Sequence, residues 1–345
     1  MNAVVISDLH AHTSWPFSKT LPDGRNSRFA DLLNILDQVR VFIETTKPTD
    51  LLILGDLTHR RHFINFALYN DLMAVIARLA AMVERTTILV GNHDLESNDV
   101  HSLYPYSFLP NTAVVEEPER VRLADGSDAY AIPYMPDPLA VAAAVEHAPS
   151  GIPLFAHYAA EGVPLESDYY LESPLKLGEL GKFPLTLFGH VHRPSMHVNP
   201  RVIYVGAPLH FDFGDVGDRY MYYVTDLAMQ GDGTVVAQPL DFPVFVTSMW
   251  PKLPVTERRG FLRLLDVPAG KIEEAKQAAV GAGWMDVVAL EGALPPEIRE
   301  AIAGGLAIND DLLRAHIAKR CPDLLTDEKQ RLLDEGLALL QEARR

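Results

Sequence analysis

The chain has 345 residues, 48% of them apolar and 22% charged, with a formal net charge of −16 and one cysteine, Cys321. The length suggests two or three compact units, and the lone cysteine excludes an internal disulfide framework. The acidic balance argues against a protein that coats nucleic acid through its overall field, though not against phosphate chemistry at a local site. No apolar run reaches the roughly 18 residues of a membrane-spanning helix, and no basic or apolar leader precedes the first strand. A cytoplasmic protein without membrane association is the expectation.

In chain order, the first expected strand is Ala3–Ser7. A loop over residues 11–27, with Pro16, Pro22 and Gly24, leads into a helix at Arg28–Thr45, where Phe29, Leu32, Leu36, Val39 and Ile43 recur at helical spacing. Strand Leu51–Leu54, a helix at about Ile64–Glu84 and strand Thr86–Val90 follow. This alternation predicts sheets layered with helices. Beyond residue 110 the segments shorten: strands at Ala113–Val115, Val121–Leu123 and Ala129–Ile132, a helix at Pro138–Glu146, and strand Ile152–Phe155. The weakly periodic stretch Tyr158–Lys182 reads as a loop over a site. Strands at Leu185–Phe188, Val202–Val205, Tyr220–Thr225, Thr234–Gln238 and Val244–Met249 are expected to build a second sheet packed on the first. The fold class is α/β, a four-layer αββα sandwich over residues 1–249. Pro251, Pro254 and the charged Glu257-Arg258-Arg259 mark a linker. A small β-α-β capping domain is expected over 250–294, and a helical tail over 295–345. The tail carries leucine stripes that need either the body or a partner to cover them.

Five short motifs carry the chemistry: Asp8-Leu9-His10, Gly55-Asp56, Gly91-Asn92-His93-Asp94, His157, and Gly189-His190-Val191-His192. Each follows an apolar, largely β-branched run, so each is expected where a buried strand ends. Phosphoester hydrolysis needs water activated near neutral pH and the phosphoryl oxygens neutralised, and two divalent ions about 3.5–4 Å apart do both. Carboxylates can bridge such ions, while imidazole and amide oxygen complete their shells without adding charge. Singly, each residue reads as a helix cap, a turn or a hydrogen-bonded core histidine. Jointly, in one order and each behind a strand, they point to a metal-dependent hydrolase.

The set resembles the calcineurin-like metallophosphoesterase superfamily, whose pattern is D-x-H, G-D, G-N-H-D/E, H and G-H-x-H. The resemblance covers roughly residues 1–215. It implies that Asp8, His10 and His192 hold one metal, that Asn92, His157 and His190 hold the other, and that Asp56 bridges them. His93 would stay free of metal and stabilise the transition state or protonate the leaving oxygen, with Asp94 tuning it. The two divalent ions would be manganese, with iron, zinc or magnesium as alternatives.

Within that superfamily the SbcD-type nuclease branch is the expected match. Gly206-Ala207-Pro208 resembles its G-S-P, with Ala207 in place of the serine, and Gly55-Asp56-Leu57-Thr58-His59 resembles the G-D-L-x-H of its eukaryotic and archaeal relatives. That likeness makes His59, with Arg60 and Arg61 behind it, a candidate for contact with DNA. Trp15, Phe17 and Lys19, on the first loop, could contact a nucleic-acid strand by stacking and charge, with a loop aromatic packed on the body as the favoured reading. The β-α-β unit and helical tail are what that branch carries beyond its catalytic domain. The implied partners are DNA, an SbcC-like ABC-type ATPase and a second copy of the chain. The alternative is a small-molecule or cyclic-nucleotide phosphodiesterase with an unrelated C-terminal extension.

Overall fold

The computed structural model describes residues 1–59, 65–97, 100–161, 173–199, 201–226 and 233–292. The strands are β1 (Ala3–Ile6), β2 (Asp50–Ile53), β3 (Arg85–Leu89), β4 (Leu95–Ser97), β5 (Val100–His101), β6 (Thr112–Val115), β7 (Glu119–Arg122), β8 (Asp128–Ile132), β9 (Leu154–His157), β10 (Thr186–Gly189), β11 (Ser195–His197), β12 (Val202–Tyr204), β13 (Tyr220–Thr225), β14 (Thr234–Pro239), β15 (Val244–Met249), β16 (Gly260–Val267) and β17 (Asp286–Glu291). The helices are α1 (Ser27–Thr46), α2 (Phe66–Ala80), α3 (Pro138–His147) and α4 (Ile272–Gly281). The described residues group into two compact units, one within 1–209 and 217–241, the other from 210–216 and 242–292.

The first unit is the expected sandwich. One six-stranded sheet runs β14-β13-β1-β2-β3-β6 and the other β11-β12-β10-β9-β8-β7. Their facing sides share one core. Ala3, Val5, Leu52, Leu54, Leu89 and Val115 come from the first sheet, and Ala129, Ala131, Phe155, Leu187 and Ile203 from the second. Alternate residues point the other way, and Val4, Ile6, Leu51, Ile53 and Ile88 are also fully buried. Parallel pairing of β1 with β2 and of β2 with β3 requires crossovers, which α1 and α2 supply, and right-handed crossovers put both helices on that same outer face. On the far side, Val141 and Val145 of α3 pack with Leu154, Ala156, Phe188 and Tyr204. Helix, sheet, sheet and helix are the four layers.

Three strands depart from the sequence expectation. Tyr220–Thr225 and Thr234–Pro239 return to the first sheet, where β13 pairs antiparallel to β1 (Val4 opposite Tyr223) and β14 lies outside it. Val244–Met249 leaves the sandwich altogether and pairs in parallel with β16, Phe245 opposite Phe261. The second unit is thus a parallel β15-β16-β17 sheet rather than two strands, covered by α4, with Leu262, Leu264, Ala275, Ala279 and Trp284 as its core. Of the expected loop over the site, residues 177–182 form a short 3-10 helix and residues 162–172 lie outside the described residues. The helical tail lies outside them as well.

Candidate metal centre

The parallel strands β1, β2 and β3 of one sheet, and β9 and β10 of the other, end on one edge of the sandwich. Beyond the paired ends Ile6 and Ile53 the two chains stay side by side: Asp8 N–H donates to the Gly55 carbonyl (3.1 Å), His10 to Asp56 (2.9 Å) and Ala11 to Leu57 (2.9 Å). Asp8, His10, Asp56 and His190 all have positive φ, of 54°, 45°, 54° and 81°. Non-glycine residues held there cost about 1 kcal/mol or more each and recur at functional sites. The kinks let side chains two residues apart face one point. In the second sheet Gly189 lies opposite His157, so His190 follows directly beside it. A Cβ at Gly189 would run into the Leu54 carbonyl and the Ser7 hydroxyl, and one at Gly91 would run into Asp56. Glycine is therefore required at both of these turns.

Three groups of ligand-type atoms result, each within 4.8 Å: Asp8, His10 and His192; Asp56, His157 and His190; and His10, His59 and His93, of which the first two contain expected ligands alone. His10 Nε2 lies 2.9 Å from His192 Nε2 and 3.5 Å from Asp56 Oδ2, and Asp56 Oδ2 is in turn 3.3 Å from His157 Nε2. Asn92 Oδ1 is 3.1 Å from His157 Nε2 and 2.9 Å from His190 Nδ1. All seven residues expected as ligands are thus brought together, with Asp56 placed between the first two groups. The Leu54 carbonyl can only accept, so His157 Nδ1, 2.6 Å away, carries a hydrogen and Nε2 faces the site, where a cation would have to displace its proton to take the lone pair.

The electrostatics fit divalent cations. Asp8 and Asp56 are buried, and their partners are imidazoles, backbone N–H groups and the Ser7 hydroxyl; among the described residues no lysine or arginine neutralises them. A buried carboxylate without a fixed counter-charge is costly. Burial pushes the Asp8 carboxyl up and His10 well down, and it takes His190 down to about 3. Burial opposes charge on Asp56 too, but His157 and His10 hold it below the usual carboxylate range. Against its own burial, His157 is raised to about 9 by Asp56 and Asp8. Oxygen and imidazole donors without thiolate suit manganese, iron, zinc or magnesium.

The remaining candidates separate. His93 N–H donates to Asp56 Oδ1 (2.8 Å), and its ring Nδ1 lies 2.8 Å from the His59 carbonyl, so Nδ1 carries the hydrogen and Nε2 is left for a substrate. Asp94, expected to tune His93, does something else. Its carboxylate accepts from the backbone N–H of Asp56 (2.8 Å), Thr58 (2.9 Å) and Gly91 (3.0 Å) and from the Thr58 hydroxyl (3.1 Å). Burial, then Asp56, push it up to about 7, against the hydrogen bonds from Thr58 and Gly91. His59 sits at the site: its ring stacks on His93 (4.9 Å, 17°) and its Nδ1 is 3.3 Å from His10 Nδ1. Arg60 and Arg61 lie outside the described residues. Trp15 is buried, as expected of a loop aromatic packed on the body. Sequence reasoning missed His12, whose ring lies 4.2 Å from that of His59, and Tyr134, 6.0 Å from His190. Tyr134 stands two residues past the end of β8, the strand beside β9, which itself ends on His157, and its place just beyond a buried strand was the available signal.

The calcineurin-like phosphoesterase family model matches residues 1–194. No curated protein matches the chain. Similar solved structures include a dimetal phosphatase from Danio rerio (10% identity, 65% of this chain and 92% of that one, TM-score 0.39). Others are a nuclease, MPE, from Pseudomonas putida (13%, 68% and 73%, 0.29) and the calcineurin-like phosphoesterase YfkN from Bacillus subtilis (12%, 69% and 90%, 0.36). No helix of the described residues is long and apolar enough to cross a membrane. With the family model spanning more than half the chain and the ligand groups assembled at the strand ends, the chain belongs to the calcineurin-like phosphoesterase family of metal-dependent phosphoester hydrolases.

Proposed function

We propose that this protein is a two-metal phosphodiesterase acting on DNA, an SbcD-type nuclease subunit with 3′-to-5′ exonuclease and endonuclease activity. The observation that carries the two-metal reading is the pair of ligand groups joined by Asp56. Asp8, His10 and His192 would hold one cation, Asn92, His157 and His190 the other, and Asp56 both. Two bound divalent ions, manganese in this reading, supply activated water near neutral pH and neutralise phosphoryl charge. The chain's own residues do the rest. To act as the acid, His93 would carry a proton on each ring nitrogen: Nδ1–H donates to the His59 carbonyl, and Nε2–H would pass its proton to the departing deoxyribose oxygen, leaving the ring neutral. Asp94 keeps the loops that carry Asp56 and Asn92 in register.

Support for DNA comes from the second unit. Its β-α-β element follows the catalytic unit in the order found in that nuclease branch, and the acidic chain would take its DNA affinity from an SbcC-like ATPase as a homodimer in the cytoplasm. The test is manganese-dependent digestion of labelled linear DNA beside bis-p-nitrophenyl phosphate, with wild type and His93→Ala, metal content measured in both. DNA cleavage that falls about 100-fold or more in the variant while metal is retained is the expected result. Cleavage of the small ester with DNA untouched, even with an ATPase partner supplied, replaces this reading with a small-molecule phosphodiesterase.

A further inference from the structure

We infer that Tyr134 is a substrate-binding residue of the metal centre, its hydroxyl donating a hydrogen bond to a phosphoryl oxygen of the bound diester; the inference rests on the two-metal phosphodiesterase reading. Tyr134 belongs to none of the five motifs, and its place follows from the sheet. In the parallel pairing of β8 with β9, Ile132 lies opposite Ala156, so the chain leaves β8 at the edge where His157 stands. Two residues on, the Tyr134 N–H donates to the Val90 carbonyl (2.8 Å), directly before the Gly91-Asn92 turn. The backbone of Tyr134 is thereby held beside Asn92 of one sheet and His157 of the other.

Two histidines place the ring. It meets His157 edge-on (6.5 Å, 79°) and lies tilted beside His190 (6.0 Å, 33°). These are the two imidazoles of the second ligand group, and Asn92 Oδ1 reaches both. Tyr134 is therefore next to the cation that these residues would hold. Tyr158, the other tyrosine beside His190, lies parallel to its ring (6.4 Å, 10°) and is buried. Tyr134 is only half-buried, and among the described residues its hydroxyl makes no hydrogen bond. Its ring is committed to the imidazoles, so the hydroxyl is the part that a ligand meets. The metal ligands spend their lone pairs on the cations and His93 its proton on the leaving oxygen, which leaves the phosphoryl oxygens without a directed donor. A phenol hydroxyl supplies one without charge. An ammonium or guanidinium in the same place would pair with Asp56 or Asp8 and compete with the cations for them.

Sulfur accepts hydrogen bonds poorly, so a phosphorothioate shows which non-bridging oxygen a donor touches. The manganese-loaded full chain is assayed as wild type, Tyr134→Phe and Tyr134→Ala on thymidine 5′-(p-nitrophenyl) phosphate and on its two phosphorothioate diastereomers, with bound metal measured in each. Tyr134→Phe keeps the ring and loses only the hydroxyl. It is expected to lose about tenfold in kcat/KM on the oxygen ester, with bound metal unchanged. For at least one diastereomer the ratio of wild type to Tyr134→Phe is expected to fall from about tenfold towards one, because sulfur has already removed the bond. A Tyr134→Phe as active as wild type overturns the inference, and a loss confined to Tyr134→Ala assigns the effect to the ring instead. A loss in Tyr134→Phe that persists on both diastereomers, or that follows a loss of bound metal, overturns it as well, since the hydroxyl then acts on the protein rather than on the substrate. Wild-type protein that binds its ions and cleaves none of the three esters overturns the phosphodiesterase reading itself, and the inference falls with it.

Discussion

The Asp94 carboxylate is 2% exposed and takes hydrogen bonds from three backbone N–H groups and one hydroxyl, drawn from the loops after β2 and β3. An amide in its place keeps one acceptor and turns a donor against N–H groups that can only donate. Hydrogen bonds to a charged group contribute about 1.5–3 kcal/mol each, and an unmet buried donor costs about as much. Asp94→Asn is therefore expected to lose about 2–3 kcal/mol of stability and to weaken metal retention, read as the denaturant midpoint and as bound metal per chain. Unchanged values in both would show that the carboxylate is not holding the loops. Gly189→Ala is expected to be more damaging to the metal, because its Cβ would displace the Leu54 carbonyl that orients His157. At this scale the sequence was most legible where chemistry restricts residue type. Asp, Asn and His behind buried strands announced all seven ligand candidates, because few other side chains can serve. Asp94 was misread because the adjacency of His93 and Asp94 in sequence suggests a pair, whereas consecutive residues on the turn point apart. His12 was invisible because its neighbour His59 is 47 residues away.

Elements were legible wherever one periodicity ruled. The 3.6-residue stripe of α1 and the apolar runs of β1, β2, β3, β9 and β10 were found within a residue or two. Sheet membership was not. Tyr220–Thr225 has the same alternating pattern whichever sheet it joins, and only the backbone register of Val4 against Tyr223 decides the matter. Val244–Met249 was assigned to the sandwich for the same reason, since a strand pattern carries no label for its neighbour. Helix starts were written more plainly. Asn26 accepts from Arg28 N–H (2.9 Å) and Phe29 N–H (3.1 Å), and its amide also ties down the Thr13 carbonyl. Asn65 caps α2 with a single bond, to Leu68 N–H (3.0 Å). Replacing an N-cap by alanine costs about 1 kcal/mol on average. Asn26→Ala is expected to exceed that figure and Asn65→Ala to fall near it, in chemical denaturation of the two variants side by side. Equal losses would mean that the Thr13 bond adds nothing to the cap.

At the scale of the whole first unit, the candidate centre joins the two sheets. Asp8, His10, Asp56 and Asn92 come from the loops after β1, β2 and β3 of one sheet, while His157, His190 and His192 come from β9 and β10 of the other. The apolar core shared by the sheets fixes their separation, but at this edge the residues that meet are carboxylates and imidazoles rather than aliphatic side chains. Cations bound there would tie one sheet to the other with charge, where burial of apolar surface cannot. Since the unfolded chain presents no such preassembled set, metal binding is linked to folding, and stabilisation grows as RT ln(1 + [metal]/Kd), about 2.7 kcal/mol at a hundredfold excess over Kd. The manganese-loaded protein is therefore expected to melt several degrees above the same protein in chelator, with the gap widening as metal is added. His157→Ala removes the ligand on the second-sheet side while leaving Asp8, His10 and His192 in place. It is expected to abolish a large part of that widening and to reduce bound metal from two ions towards one. A melting temperature that ignores chelator in the wild-type protein would mean that the apolar core alone holds the sheets in register and that the centre does not act as a clamp between them.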